Sequence, residues 1–136
     1  MKKQIKTLPD TNIIIRYLVR DDEAQYALAK EFFDSVRSGK KKAVILESVI
    51  AECIYILVKI YKVPKDMAAE SIMDILHYKG IENPDQNELI SALKLFAKRN
   101  IDIVDCILCA KASEENTSLF SFDKELNKVS GSLRLT

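Results

Sequence analysis

Ala43-Val44-Ile45-Leu46 carries no polar side chain and stands between two long stretches of helical periodicity. A run this short, apolar on both alternating faces, reads as a strand buried on both sides, and a parallel sheet covered by helices provides that environment. The same alternation recurs along the chain. Ile5 to Leu8 reads as a first strand, Ile81-Glu82 as a minimal one, Leu119 to Phe122 as another, and Leu133 to Leu135 as a candidate last strand. Helical segments separate them, beginning with Ile13 to Val19. Asp21-Asp22-Glu23 opens the next, Gly39 ends it, and Leu28, Phe32 or Phe33, and Val36 are expected to face inward. Ser48 is expected to cap a long helix running to about Tyr61, ended by Val63-Pro64. Asp66 to Lys79 follows, with Met67, Ile72, Ile75 and Leu76 inward and Gly80 as its stop. The last two helices start after Asn83-Pro84-Asp85 and run from Ile103 to Glu114. The expected class is α/β, with a central parallel sheet.

At 136 residues, 48% of them hydrophobic, with three prolines and three glycines, the chain has the makings of one globular domain, 1–136, without long linkers. No apolar run approaches a membrane span, and the polar residues after Met1-Lys2-Lys3 interrupt any signal-peptide core, so the chain reads as cytoplasmic. A net charge of +1 neither requires nor excludes a nucleic-acid partner. Phosphate contacts would have to come from local clusters, Lys40-Lys41-Lys42 or the Lys59, Lys62, Lys65 series, which also read as a solvated turn and a helix rim. Cys106 and Cys109 form a C-x-x-C inside a helical stretch, with no second Cys or His pair to complete a zinc site. Together with Cys53 they read as small buried hydrophobes in a reducing compartment.

The chemistry lies in four acids set among apolar residues: Asp10, Glu52, Asp105 and Asp123. Asp10 and Asp123 each follow an expected strand, which places both at the rim where open α/β sheets bind ligands. Each also reads as a helix cap, as does Asp102, three residues before Asp105. Glu52 belongs to a polar stripe of Ser48, Glu52, Tyr55 and Lys59, either a solvent-facing edge or the lining of a cleft. Four carboxylates in one cleft resist ionising together unless a hard cation neutralises them, and such sites most often handle phosphates.

These motifs resemble a known family. Pro9-Asp10-Thr11-Asn12-Ile13-Ile14-Ile15-Arg16-Tyr17-Leu18, then Ser48-x-x-x-Glu52, Asp102-x-x-Asp105 and Ser121-Phe122-Asp123 resemble the PIN-domain ribonucleases, above all the VapC-like toxins of toxin–antitoxin pairs. The resemblance covers the whole chain in order and spacing. Pro9 stands where a strand aliphatic is usual, Ser121 where Thr is frequent, and Cys106 where Ala is common. It implies a three-layer α/β/α sandwich, Mg²⁺ or Mn²⁺ held by Asp10, Glu52, Asp105 and Asp123, and Thr11, Asn12 and Ser121 as supporting polar groups. It also implies an RNA substrate, an antitoxin partner and a homodimer.

Other readings predict other residues. A haloacid-dehalogenase-like phosphotransferase wants a second Asp two positions after the first, where Asn12 stands. A catalytically silent binding scaffold would have lost an acid, and all four are present. A PIN nuclease of RNA processing or decay, or one acting on DNA, would keep the same residues and lack an antitoxin gene beside its own.

Overall fold

The computed structural model describes residues 5–134. Its elements are β1 (Lys6–Thr7), α1 (Thr11–Leu18), α2 (Glu23–Ser38), β2 (Lys42–Ala43), α3 (Glu47–Tyr55) continued by a π-helical turn (Ile56–Ile60), α4 (Lys65–Leu76), α5 (Gln86–Lys98), α6 (Ile103–Ala112) and α7 (Lys124–Arg134). β1 and β2 pair in parallel, Lys6 opposite Lys42 and Thr7 opposite Ala43, and Ile81 adds a parallel bridge to Ala43. The fold is therefore α/β with a small parallel sheet, and helix dominates it.

Local signals explain the helix ends. Asp22 caps α2 by accepting a hydrogen bond from the Gln25 amide, and Gly39 closes it at φ 85°, a conformation glycine adopts without strain. The helices bury one face each around Phe33 and Val36 from α2, Ile50 and Ile54 from α3, Ile72 and Ile75 from α4, and Leu89 and Leu93 from α5. Burying each such side chain stabilises the fold by about 1.5–3 kcal/mol before its entropy cost.

Several expectations are corrected. Leu119 to Phe122 is irregular chain, not a strand: no neighbouring segment offers it a ladder among the described residues, and Phe120 and Phe122 stand in solvent. The expected strand at Leu133 is the end of α7, because Leu126, Val129 and Leu133 recur at helical spacing and Leu126 and Val129 are buried; Leu135 lies outside the described residues. Leu28 is exposed because Ala29, Phe33 and Val36 form the inner face of α2. Met67 likewise gives way to Ala68, Ala69 and Ile72. The residue in the capping position of α3 is Leu46, so Ser48 does not cap it. Ile5 is exposed and β1 is shorter than expected. α4 stops at Leu76, so Gly80 has another task.

Gly80 is where β2, the end of α2 and the α4–α5 connection converge. Its N–H donates to the Val36 carbonyl at 2.8 Å and its carbonyl accepts from the Ala43 N–H at 2.9 Å. A Cβ there would lie 2.1 Å from the Lys41 carbonyl oxygen and 2.7 Å from that of Val36. Both are backbone atoms, so the sheet itself would have to move. Gly80→Ala is expected to destabilise the chain by about 3 kcal/mol, the upper end for overfilling a packed interior. A urea titration measures it, and an unchanged midpoint would show that this backbone yields freely.

Candidate active site

Asp10 leaves β1 through the buried Pro9 and caps α1. Its Oδ1 accepts from the Ile13 amide at 3.0 Å, while Oδ2 makes no hydrogen bond among the described residues. The capping reading of the sequence is therefore correct and uses only half of the carboxylate. Thr11 and Asn12 follow on the first turn, and their side chains hydrogen-bond to no acid among the described residues.

Glu52 faces solvent from α3 along the stripe of Ser48, Tyr55 and Lys59, and no hydrogen bond or ion pair engages its carboxylate among the described residues. The next residue, Cys53, is fully buried, and its thiol lies 3.9 Å from the Thr11 carbonyl. Burial, and then the negative charges of Glu52 and Asp10, push that thiol up to about 12. Both acids thus act on one buried atom where the start of α1 meets the second half of α3.

Asp105 sits half-buried in the first turn of α6. Asp102 occupies the capping position of that helix with extended backbone, yet its side chain makes no capping bond. Asp102, Asp105 and Asp123 line one open cleft of about 310 Å³. Asp105 shares a second depression with Ser121 and Phe120, and a third with Ala51 and Tyr55 of α3. It therefore stands where three depressions meet, next to the residues that flank Glu52. Burial raises the Cys106 and Cys109 thiols, Cys106 to about 12, and the charge of Asp105 adds to both. All three cysteines are free and buried, as small hydrophobes would be.

Asp123 caps α7 through Oδ1, which accepts from the Leu126 amide at 3.0 Å. Its own N–H donates to Ser121 Oγ at 3.0 Å, and Asn127 Nδ2 donates to the Ser121 and Asp123 carbonyls at 2.8 and 3.1 Å. Sequence reasoning missed Asn127 as the clamp on this turn and gave Asp102 only a capping role. An amide four residues after a capping acid, and an acid one helical turn before another, were the available signals.

Among the described residues no three His, Cys, Asp or Glu groups lie close enough to hold one metal ion. The acids stand instead as Asp10 and Glu52 about Cys53, and Asp102, Asp105 and Asp123 about the cleft. The donor chemistry nevertheless fits a hard divalent cation: the donors are all carboxylate oxygens. Lys and Arg pair elsewhere among the described residues, Arg16 with Asp21, Arg20 with Glu23, Lys30 with Asp34, and Lys111 with Asp85 and Glu47. Among the described residues no cationic side chain forms an ion pair with the four acids.

The family profile of the PIN domain matches residues 7–132, a span that includes every one of these acids. The chain belongs to the PIN domain family. Over 123 residues, 90% of each chain, it is 25% identical to a VapC ribonuclease of Aquifex aeolicus (strain VF5). No solved structure gives a significant match. No described helix of this PIN domain is long and apolar enough to cross a membrane.

A polar anchor ties together α3 and α6, the helices of this PIN domain that carry Glu52 and Asp105. The buried Asn83 accepts from the Ile45 amide at 2.9 Å, donates to the Ile45 carbonyl at 2.7 Å, and also donates to Asp85 Oδ1 at 3.1 Å. Asp85 Oδ2 holds Lys111 of α6 at 2.8 Å, and the same ammonium lies 3.4 Å from Glu47 at the start of α3. The entry to α3, the start of α5 and the end of α6 are thus fixed relative to one another. Burial works to raise the Asp85 pKa, but hydrogen bonds from Lys111 and Asn83 hold it below the usual carboxylate range.

Proposed function

We propose that this chain is a metal-dependent endoribonuclease, a single nuclease domain over 1–136 and the toxin of a toxin–antitoxin pair. The observation that carries the reading is a set of carboxylates from four separate elements that form no ion pair with a cationic side chain among the described residues. Membership of the PIN family and similarity to a VapC ribonuclease support it. The three-layer α/β/α sandwich belongs to the same reading, supported by the parallel pairing of β1, β2 and Ile81.

Asp10, Asp105 and Asp123 would hold Mg²⁺ or Mn²⁺, with Glu52 reaching it through water or orienting the attacking water. When bound, the cation stabilises charge developing on the phosphate and brings the pKa of a water towards about 7. Asp10 Oδ2, free of the cap, is the oxygen available to it, whereas Oδ1 keeps α1 started. Ser121 and Asn127 hold Asp123 at the cleft through the backbone of its turn. Thr11 and Asn12, beside Asp10, are the polar groups that a phosphate there would meet. Water attacks in line, leaving a 5′-phosphate and a 3′-hydroxyl. His77 takes no part: its Nδ1 lies 2.9 Å from the Met73 carbonyl at the end of α4. An antitoxin, a homodimeric state and a cytoplasmic location complete the proposal.

Purified protein is expected to cut RNA with Mn²⁺ or Mg²⁺, to stop when EDTA is added, and to resume when metal is restored. Gel analysis of a labelled RNA measures it. Cleavage that persists in EDTA would refute the mechanism.

A further inference from the structure

Phe120 and Phe122 are the most exposed large apolar side chains among the described residues, 88% and 94% accessible. Scattered exposed apolar residues are ordinary, but two aromatic rings that touch at the rim of a polar cleft are informative. Their centroids lie 5.8 Å apart with planes at 77°, so each ring keeps a face open. Ser121 stands between them, and its Oγ and carbonyl are engaged by the Asp123 amide and by Asn127. The rings are therefore mounted on a pinned turn, which lowers the ordering cost of binding. Phe120 and Ser121 line the same depression as Asp105. On the other side of Asp105, the exposed Tyr55 and Lys59 share a groove with it. Aromatic surface thus lies to either side of the acid that the cleavage site needs.

Two phenylalanine rings together present about 300–500 Å², well below the roughly 800 Å² that each partner buries in a stable protein interface. The surrounding segment, Glu114 to Ser118, is polar and exposed, so the apolar area does not extend in that direction. A nucleobase matches the available surface better: it is flat, every base has a π-face, and unpaired RNA bases stack on aromatic side chains. Bases in a duplex are already stacked and cannot reach such a ring. We propose that Phe120 and Phe122 form a stacking platform for an unpaired base next to the scissile phosphate. This rests on the nuclease reading above and names the side chains that would seat the substrate at that same site.

The test is binding of a short single-stranded RNA carrying the fluorescent base 2-aminopurine, with Ca²⁺ in place of Mg²⁺ so that the RNA is held uncut. The whole chain is expected to quench the probe. F120A/F122A should abolish the quench and weaken binding about ten- to hundredfold. F120L/F122L keeps apolar area without a π-face and should fail equally, whereas F120Y/F122Y should bind as the natural chain does. A leucine variant that binds and quenches normally overturns the platform. So does an alanine variant that binds RNA unchanged while light scattering shows a dimer become a monomer, since the rings then belong to a protein interface. Cleavage with Mn²⁺, followed in parallel, separates the two ideas. Quenching without any cleavage supports the platform and removes the nuclease reading, while unimpaired cleavage by the leucine variant removes the platform alone.

Discussion

Asp105→Asn is expected to lower RNA cleavage by about 10³-fold, the upper end of what loss of one preorganised electrostatic contact costs. Asp105 is the acid through which the rest of the site is connected. It borders the cleft of Asp123, the depression of Ser121 and the groove of Tyr55. It makes no hydrogen bond or ion pair among the described residues, so the amide breaks no bond within the protein. Removing its charge also relieves repulsion from Asp102 and Asp123, so the metal-free variant should be as stable as the natural chain or more so. Metal should separate the two proteins. The natural chain should gain about 2.7 kcal/mol when the cation is present at a hundred times its Kd, and the variant should lose most of that gain. Single-turnover cleavage and urea unfolding with and without Mn²⁺ measure both effects. A large drop in metal-free stability would mark Asp105 as a structural residue, and near-normal cleavage would remove it from the site.

Asn83→Leu is expected to destabilise the chain by about 3–4 kcal/mol, because two buried backbone groups would lose their only partners among the described residues and each such loss costs about 1–3 kcal/mol. The leucine keeps the γ-branched shape but is the larger side chain, so crowding of the buried site adds to the loss of the hydrogen bonds. The amide and carbonyl of Ile45 would both be left unpaired, just before the helix that carries Glu52. The same anchor predicts a pH dependence. Asp85 has its pKa depressed in the folded chain, so its contribution is complete above the unfolded carboxylate value and is lost as pH falls below about 4 and through the folded pKa. Asp85→Asn should therefore lower stability at neutral pH and flatten its decline in acid. Denaturant midpoints across pH 2 to 7 measure this, and parallel curves for the two proteins would show that the Lys111 contact contributes nothing.

What could be read along the chain is what acts within one helical turn. The caps at Asp10, Asp22 and Asp123 and the glycine end at Gly39 concern hydrogen bonds between residues three or four apart, so they are visible in order of sequence. The acids were legible for a related reason: a carboxylate among apolar residues is conspicuous wherever the chain later takes it. Strands are different. Leu119 to Phe122 has strand-like residues, but a strand exists only if another segment supplies a ladder, and none does so among the described residues. Helix faces also depend on distant partners, which is why Ala29 and Phe33 displaced Leu28 and why Ala68 displaced Met67. Asn83 bonds to a residue 38 positions away, and Lys111 to an acid 26 positions away. The kinds of acid and their order were set in the covalent chain. Their grouping, Asp105 with Asp123 at the cleft and Asp10 with Glu52 about Cys53, came from the packing of helices far apart in sequence, because charges meet in space and local chemistry does not fix which ones.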